Sequence, residues 1–191
     1  GNLFQEHSDS KVVALHDYFQ DRVDSAGERL EVEPSRRYIG LDGYKELVAG
    51  DVDAVAVISP PYFHPEQSVA ALDAGKHLYL AKPIAVDVPG CQAIVDAANR
   101  HPDLSAWVDF QTRTDPYYRE GVKRVLEGMI GQLVCGQAYY HTGRLRIQAP
   151  PDAGEPARIR NWMFDKALSG DIIVEQNIHC LDAANWILDA Q

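Results

Sequence analysis

The sequence predicts an α/β fold, a mainly parallel sheet with helices on both faces, followed by part of a second α/β (α+β) domain with an antiparallel sheet. Three observations carry this expectation. Short β-branched runs alternate with helices of about ten residues over the first 111 positions, the pattern of βαβ units and a parallel sheet. Several of those runs are almost wholly apolar rather than alternating, as strands buried on both faces are. Beyond residue 111 a longer segment with partial alternation lies between helices, which suits an antiparallel strand. The expected boundaries are therefore 1–111 and 112–191.

Each element has its own signal. "KVVALHD" (11–17) reads as a buried strand that ends in acid. "LDGYKELVAG" (41–50) reads as a helix stopped by Gly50. A second strand follows in "DAVAVISP" (53–60). "PEQSVAALDAG" (65–75) places Pro at the first helical turn and Gly at the end, the usual asymmetry of helix termini. "KHLYLAKP" (76–83) is a third strand, "DVPGCQAIVDAANR" (87–100) a helix and "SAWVDFQ" (105–111) a fourth strand. "DPYYREGVKRVLEG" (115–128) is a helix, "GQLVCGQAYYHTGRLRI" (131–147) the antiparallel candidate and "APPDAGEPAR" (149–158) a Pro/Gly-rich loop. "SGDIIVEQNIHCLDAANWIL" (169–188) reads as one helix. One long strand and two helices cannot bury a sheet face, so the second domain is expected to be incomplete and the chain a segment of a longer protein.

Composition narrows the function classes. Lys and Arg number 18 against 28 Asp and Glu, a formal charge of −10. Nucleic acid and anionic membranes favour basic surfaces, so neither is an expected partner. No apolar run approaches the ~20 residues that span a bilayer. The three cysteines, Cys91, Cys135 and Cys180, are widely spaced with no C-x-x-C. They indicate neither a disulfide framework nor a metal cluster. The first residues, "GNLFQEHSDS", lack an initiating Met. A cytoplasmic location is expected, with export as the alternative that the absent natural N-terminus leaves open.

Ligands of open parallel sheets bind beyond the carboxyl ends of the strands, and three such ends carry suggestive residues. Asp17 closes the first strand and can accept hydrogen bonds from a ribose diol; a helix cap or turn is the alternative. "SPPYFH" (59–64) contains two prolines that fix a rigid loop able to press on a flat ring, or simply a stiff turn. His64 precedes the helix beginning at Pro65, as a cap or a ligand contact. "AKP" (81–83) holds Lys82 between a strand and a proline. Its ammonium can stabilise a developing alkoxide there, although an isolated lysine is more often a surface residue. A G-x-G-x-x-G turn is absent. Gly1 and Asn2 precede a candidate helix, "LFQEHSDS" (3–10), so the chain is expected to begin inside that turn.

Two stretches now carry a resemblance. "DAVAVISPPYFHPEQSVAALDAGKHLYLAKPIAVDVPG" and "NWMFDKALSGDIIVEQNIHCLDAANWIL" resemble the glucose–fructose oxidoreductase / inositol dehydrogenase / rhizopine-catabolism family of NAD(P)-dependent oxidoreductases. The resemblance implies a Rossmann-type first domain, binding of NAD rather than NADP given Asp17, and hydride transfer to or from a secondary hydroxyl of a sugar or cyclitol. It implies Lys82, His179 and Glu175 as catalytic residues. It implies Asp17, Ser59, Pro60, Pro61, His64, Lys82, Pro83 and Arg113 as cofactor contacts, and Trp162 and Asp182 as substrate contacts. It further implies a homo-oligomer formed through the C-terminal sheet of the full-length protein. Two positions depart from the family pattern: Ala81 stands where a Glu is usual, and Glu175 where an Asp is usual. These put the substrate's identity in doubt more than the fold. An NAD-dependent glycosidase and a non-catalytic sugar-binding relative are the alternatives.

Glu175, His179 and Asp182 are four and three residues apart, so a helix would align them on one stripe. A charged stripe on a packed helix is costly unless it lines a wet cleft or finds partners. Histidine suits a proton-exchanging role because its unperturbed pKa of ~6.5 lets it accept and return a proton near neutrality. The 191-residue piece by itself is expected to be inactive.

Overall fold

The computed structural model describes Glu6 and residues 8–189. The turn placed at Gly1 and Asn2, and half of the helix expected over 3–10, lie outside them; residues 8–10, within them, are not helical. The chain runs β1 (Leu15–Asp17), α1 (Gln20–Arg29), β2 (Arg37–Ile39), α2 (Gly43–Ala49) and β3 (Ala54–Val57). It continues through α3 (His64–Asp73), β4 (His77–Ala81), α4 (Val88–Arg100), β5 (Ala106–Asp109) and α5 (Pro116–Leu126). Four further helices follow, α6 (Gly154–Arg160), α7 (Lys166–Ser169), α8 (Asp171–Glu175) and α9 (Ile178–Ile187). β1 and β2 pair in parallel, Leu15 opposite Arg37 and Asp17 opposite Ile39, and a second sheet has the order β3-β4-β5. The architecture is the α/β, Rossmann-like one the alternation predicts. No helix among the described residues is long and apolar enough to cross a membrane.

Two compact units emerge. One comprises Gly1–Ser59, Glu66–Tyr79 and Ala93–Trp107; the other comprises Pro60–Pro65, Leu80–Gln92 and Val108–Gln191. In the first, Val23, Val57, Leu72, Leu78, Ile94 and Ala97 are buried. Asp17 turns the chain from β1 into α1 by accepting a hydrogen bond from the Phe19 amide at 2.9 Å. In the second, Leu80, Val122, Ile159 and Leu168 are buried. The central strand β4 buries one face through Leu78 and Leu80, while on the other His77 is exposed and Tyr79 and Ala81 are half-buried, so the expected burial on both faces holds only in part. The edge strand β5 leaves Trp107 exposed, as an edge with one neighbour can.

Four expectations are corrected. Residues 131–147 form no strand, because a strand needs a hydrogen-bonding neighbour and none pairs with them among the described residues. The loop expected over 149–158 contains the start of α6. The turn from β1 leads into a ten-residue helix, α1, and a three-residue strand, β2, neither of which the reading above includes. The single helix expected over 169–188 is two, α8 and α9, interrupted at Gln176 and Asn177.

Entry into α8 depends on backbone geometry. Gly170, just before α8, has φ +76° and Asp171, its first residue, φ +70°, so two successive residues are left-handed where the helix begins. A Cβ at Gly170 would also meet the Val174 side chain at 2.7 Å. Gly170→Ala is expected to cost about 1–2 kcal/mol, read as a lowered denaturant midpoint at unchanged slope. A midpoint equal to that of the parent protein would remove this explanation of the turn.

Candidate functional site

The break between α8 and α9 builds the centre of the site. The amides of Gln176 and Asn177 both bond back to the Ile172 carbonyl at 2.9 Å. The helix therefore closes on itself one residue late, and the Glu175 carbonyl is left to seek a partner outside it. Lys82, one residue past β4, supplies that partner. Its Nζ donates to the Glu175 main-chain carbonyl and, at 2.7 Å, to Glu175 Oε1. A cation at a helix C-terminus also complements the helix dipole. The Lys82 and Glu175 side chains are 17% and 9% exposed, so the pair is largely withdrawn from water. Burial pushes the Glu175 carboxyl above its ordinary range, and the hydrogen bond and charge of Lys82 pull against that rise.

One turn beyond Glu175, His179 is 5% exposed. Its imidazole stacks on the Tyr140 ring, with centroids 5.1 Å apart and planes 21° apart. Burial, then the positive charge of Lys82, lower its proton affinity; the carboxylates of Asp182 and Asp109 act the other way. His179 Nδ1 and Glu175 Oε2 are buried without a hydrogen-bond partner among the described residues. Unsatisfied buried polar atoms are uncommon and call for an explanation such as a ligand.

Asp182 is engaged as well. Arg113, in the 3-10 turn Gln111–Arg113 after β5, donates from Nε to both Asp182 oxygens at 3.0 Å and from Nη2 to Oδ1 at 2.8 Å. The same guanidinium lies 5.4 Å over the Trp186 ring. Trp162 opens a 3-10 turn, Trp162–Phe164, and is half-buried. His64 is almost fully enclosed, and its Nδ1 meets the Pro83 carbonyl at 2.8 Å, so that nitrogen carries the proton. The Lys82–Pro83 peptide is cis, and Pro61 is buried behind Pro60. These residues all belong to the second compact unit. In the first unit, Asp17 ends β1, and the Ser59 hydroxyl donates to Gln67 Oε1 at 2.7 Å.

The structure thus gathers Lys82, Glu175, His179, Asp182 and Arg113 through direct contacts or helical neighbours. Two participants escape sequence reasoning. Tyr140 lies in a segment read as a strand, where nothing marks one aromatic among "YYH". Asp109 is an acid at a strand end, a signal of the same kind that singled out Asp17.

The fold defines an α/β protein of the dinucleotide-binding type, and it carries a buried polar cluster of Lys82, Glu175 and His179. Residues 1–110 match the model of the GFO/IDH/MocA oxidoreductase family, described as having an NAD-binding Rossmann fold. The chain belongs to this family. It is 26% identical to the scyllo-inositol 2-dehydrogenase (NAD(+)) of Bacillus subtilis (strain 168), over 100% of this chain and 50% of that protein. Inositol 2-dehydrogenase 2 of Saccharopolyspora erythraea is 31% identical over 95% of this chain and 47% of its own length. Among solved structures, scyllo-inositol dehydrogenase from Lactobacillus casei with bound NAD(H) and scyllo-inositol superposes with a TM-score of 0.70 at 28% identity. That match covers 93% of this chain and 48% of the other. The chain spans about half the length of the curated relatives it matches.

Lys82→Met would leave the Glu175 carboxylate buried without its cation. The expected loss is about 3 kcal/mol at neutral pH, seen as a lowered denaturant midpoint. An acid whose folded pKa is raised keeps its proton where the unfolded chain has lost it, so stability falls as pH rises through that window. The Lys82→Met penalty should therefore shrink in acid. A pH-independent penalty would mean the ion pair is not its source.

Proposed function

We propose that the protein is an NAD-dependent dehydrogenase that oxidises a secondary hydroxyl of a cyclitol or sugar. The observation that carries the reading is a buried His179 held towards its neutral form, in one cluster with the Lys82 ammonium. Neutral imidazole is the form that accepts a proton, and a nearby ammonium stabilises the alkoxide that results.

The side chains fit a nicotinamide dinucleotide and a hydroxylated ring. His179 Nδ1 and Glu175 Oε2 are the buried, unpartnered atoms that a polyol could satisfy. Pro60 and Pro61 give a rigid surface with no backbone donors of their own. Asp17 is the residue for the adenosine ribose; Ser59, Pro60, Pro61, His64 and Pro83 complete the cofactor set, and Trp162 belongs to the substrate. Bound NAD would supply the acceptor for hydride. The chain's own residues do the rest. His179 takes the hydroxyl proton, Lys82 steadies the oxygen, and Glu175 anchors the ammonium and presents its second oxygen to a neighbouring hydroxyl. Exposed Ile130, Val134, Tyr139 and Ile147 support self-association through that segment as part of the same proposal.

Two measurements on the intact protein test this. His179→Ala should lower kcat by roughly 10²–10⁴-fold while NAD binding persists; full turnover in that variant would refute the assigned role. The acid limb of kcat/KM should fall below 6.5, the ordinary histidine value, because burial and Lys82 lower the pKa of His179. Activity would then be lost only as pH drops through that lowered value, and a limb above 6.5 would contradict the environment described.

A further inference from the structure

The contacts of Arg113 bear on His179 although Arg113 does not touch it. Arg113 holds both oxygens of Asp182 through three hydrogen bonds of 2.8–3.0 Å. Such a fork fixes direction as well as distance, which a lysine cannot reproduce. Its other face lies over Trp186. Asp182 and Trp186 are three and seven residues beyond His179 on α9, so one guanidinium grips the two turns of helix that follow the imidazole. Asp182 is 11% exposed on its side chain, a carboxylate that needs the pairing it has.

We propose that Arg113 is a positioning residue that acts through Asp182, fixing α9 and offsetting the carboxylate charge beside the His179 imidazole. This rests on the reading of His179 as the proton acceptor, and it departs from the expectation that Arg113 holds cofactor and Asp182 substrate. Every charged group facing His179 enters the balance. Lys82 from the end of β4 opposes protonation, whereas Asp182 on α9 and Asp109 at the end of β5 favour it. Tyr140 contributes a ring face, and Glu175 on α8 is bound to Lys82. Of the two acids, Asp182 carries a bidentate cation. Releasing that cation would let its full negative charge act on the imidazole.

The test is an NMR titration of the His179 ring in the intact protein, for the parent, Arg113→Gln, Asp182→Asn and the double variant, with NAD affinity measured on each. The titration needs no turnover, so it stands even where the dehydrogenase reading fails. Arg113→Gln should move the His179 midpoint upward and Asp182→Asn downward. The double variant should fall closer to Asp182→Asn, since without the carboxylate the arginine has nothing to neutralise. Arg113→Lys should restore the midpoint in part, and NAD affinity should stay within twofold of the parent. Arg113→Gln and Asp182→Asn midpoints both equal to the parent's would overturn the proposal. So would weakened NAD binding in Arg113→Gln with an unmoved midpoint, which would return Arg113 to the cofactor. Asp182→Asn is nearly isosteric and decides the matter alone if Arg113→Gln does not fold.

Discussion

The contact between Lys82 and Glu175 spans 93 residues of sequence, and the geometry of the site follows from it. α8 is only five residues long, too short to be stable on its own. Its last carbonyl, its acidic side chain and the incoming ammonium settle one another: the lysine satisfies a helix end and a buried carboxylate with one charge. Removing two charges from water is costly, and an ion pair repays it only where geometry is good and other hydrogen bonds help. Here the main-chain carbonyl provides that help. Burial still wins at Glu175, whose carboxyl remains above its ordinary range despite the cation.

The same constraint explains why the charged stripe is not a stripe on one straight helix. In a continuous helix the Glu175 carbonyl would accept from His179, four residues on. Instead the His179 amide points to Gln176 at 3.4 Å, and Lys82 takes the Glu175 carbonyl. The kink leaves α9 to begin at Ile178, so His179 lies in its first turn. A cationic imidazole is disfavoured at that end of a helix, which agrees in sign with the lowered proton affinity produced by burial and Lys82.

Much of the scaffold was legible because its signals are local. Pro65 in the first turn of α3 and Gly75 two residues past its end mark that helix locally, and the largely apolar β4 reads as a strand from five consecutive residues. β2 has three residues, below the length at which periodicity means anything. The site was legible as a set of side chains and not as a set of bonds. Glu175, His179 and Asp182 could be chosen by spacing, yet the break at Gln176 and Asn177 is imposed by a lysine from another element. Likewise Arg113 and Asp182 were each selected, but 69 residues separate them and neither residue's neighbours reveal the pairing. Tyr140 carries no local mark; only the fold brings its ring to His179.

Two acids of the α8–α9 segment, Glu175 and Asp182, each take one cation from the end of a strand. Glu175 receives Lys82 from the end of β4, and Asp182 receives Arg113 from just after β5. Strand ends supply the positive groups and the two helices the negative ones, so the charges cancel in pairs where water is scarce. His179 sits between the two pairs and belongs to neither. Its ring stacks on the face of Tyr140, and its Nδ1 is buried without a hydrogen-bond partner among the described residues. Were the Arg113 cation lost, the Asp182 carboxylate, which already favours protonation of His179, would act on it with its full charge. Burial and the Lys82 charge hold the histidine towards its neutral form, and pairing Asp182 with Arg113 limits how far a flanking acid can reverse them; neutral imidazole is the form able to accept a proton.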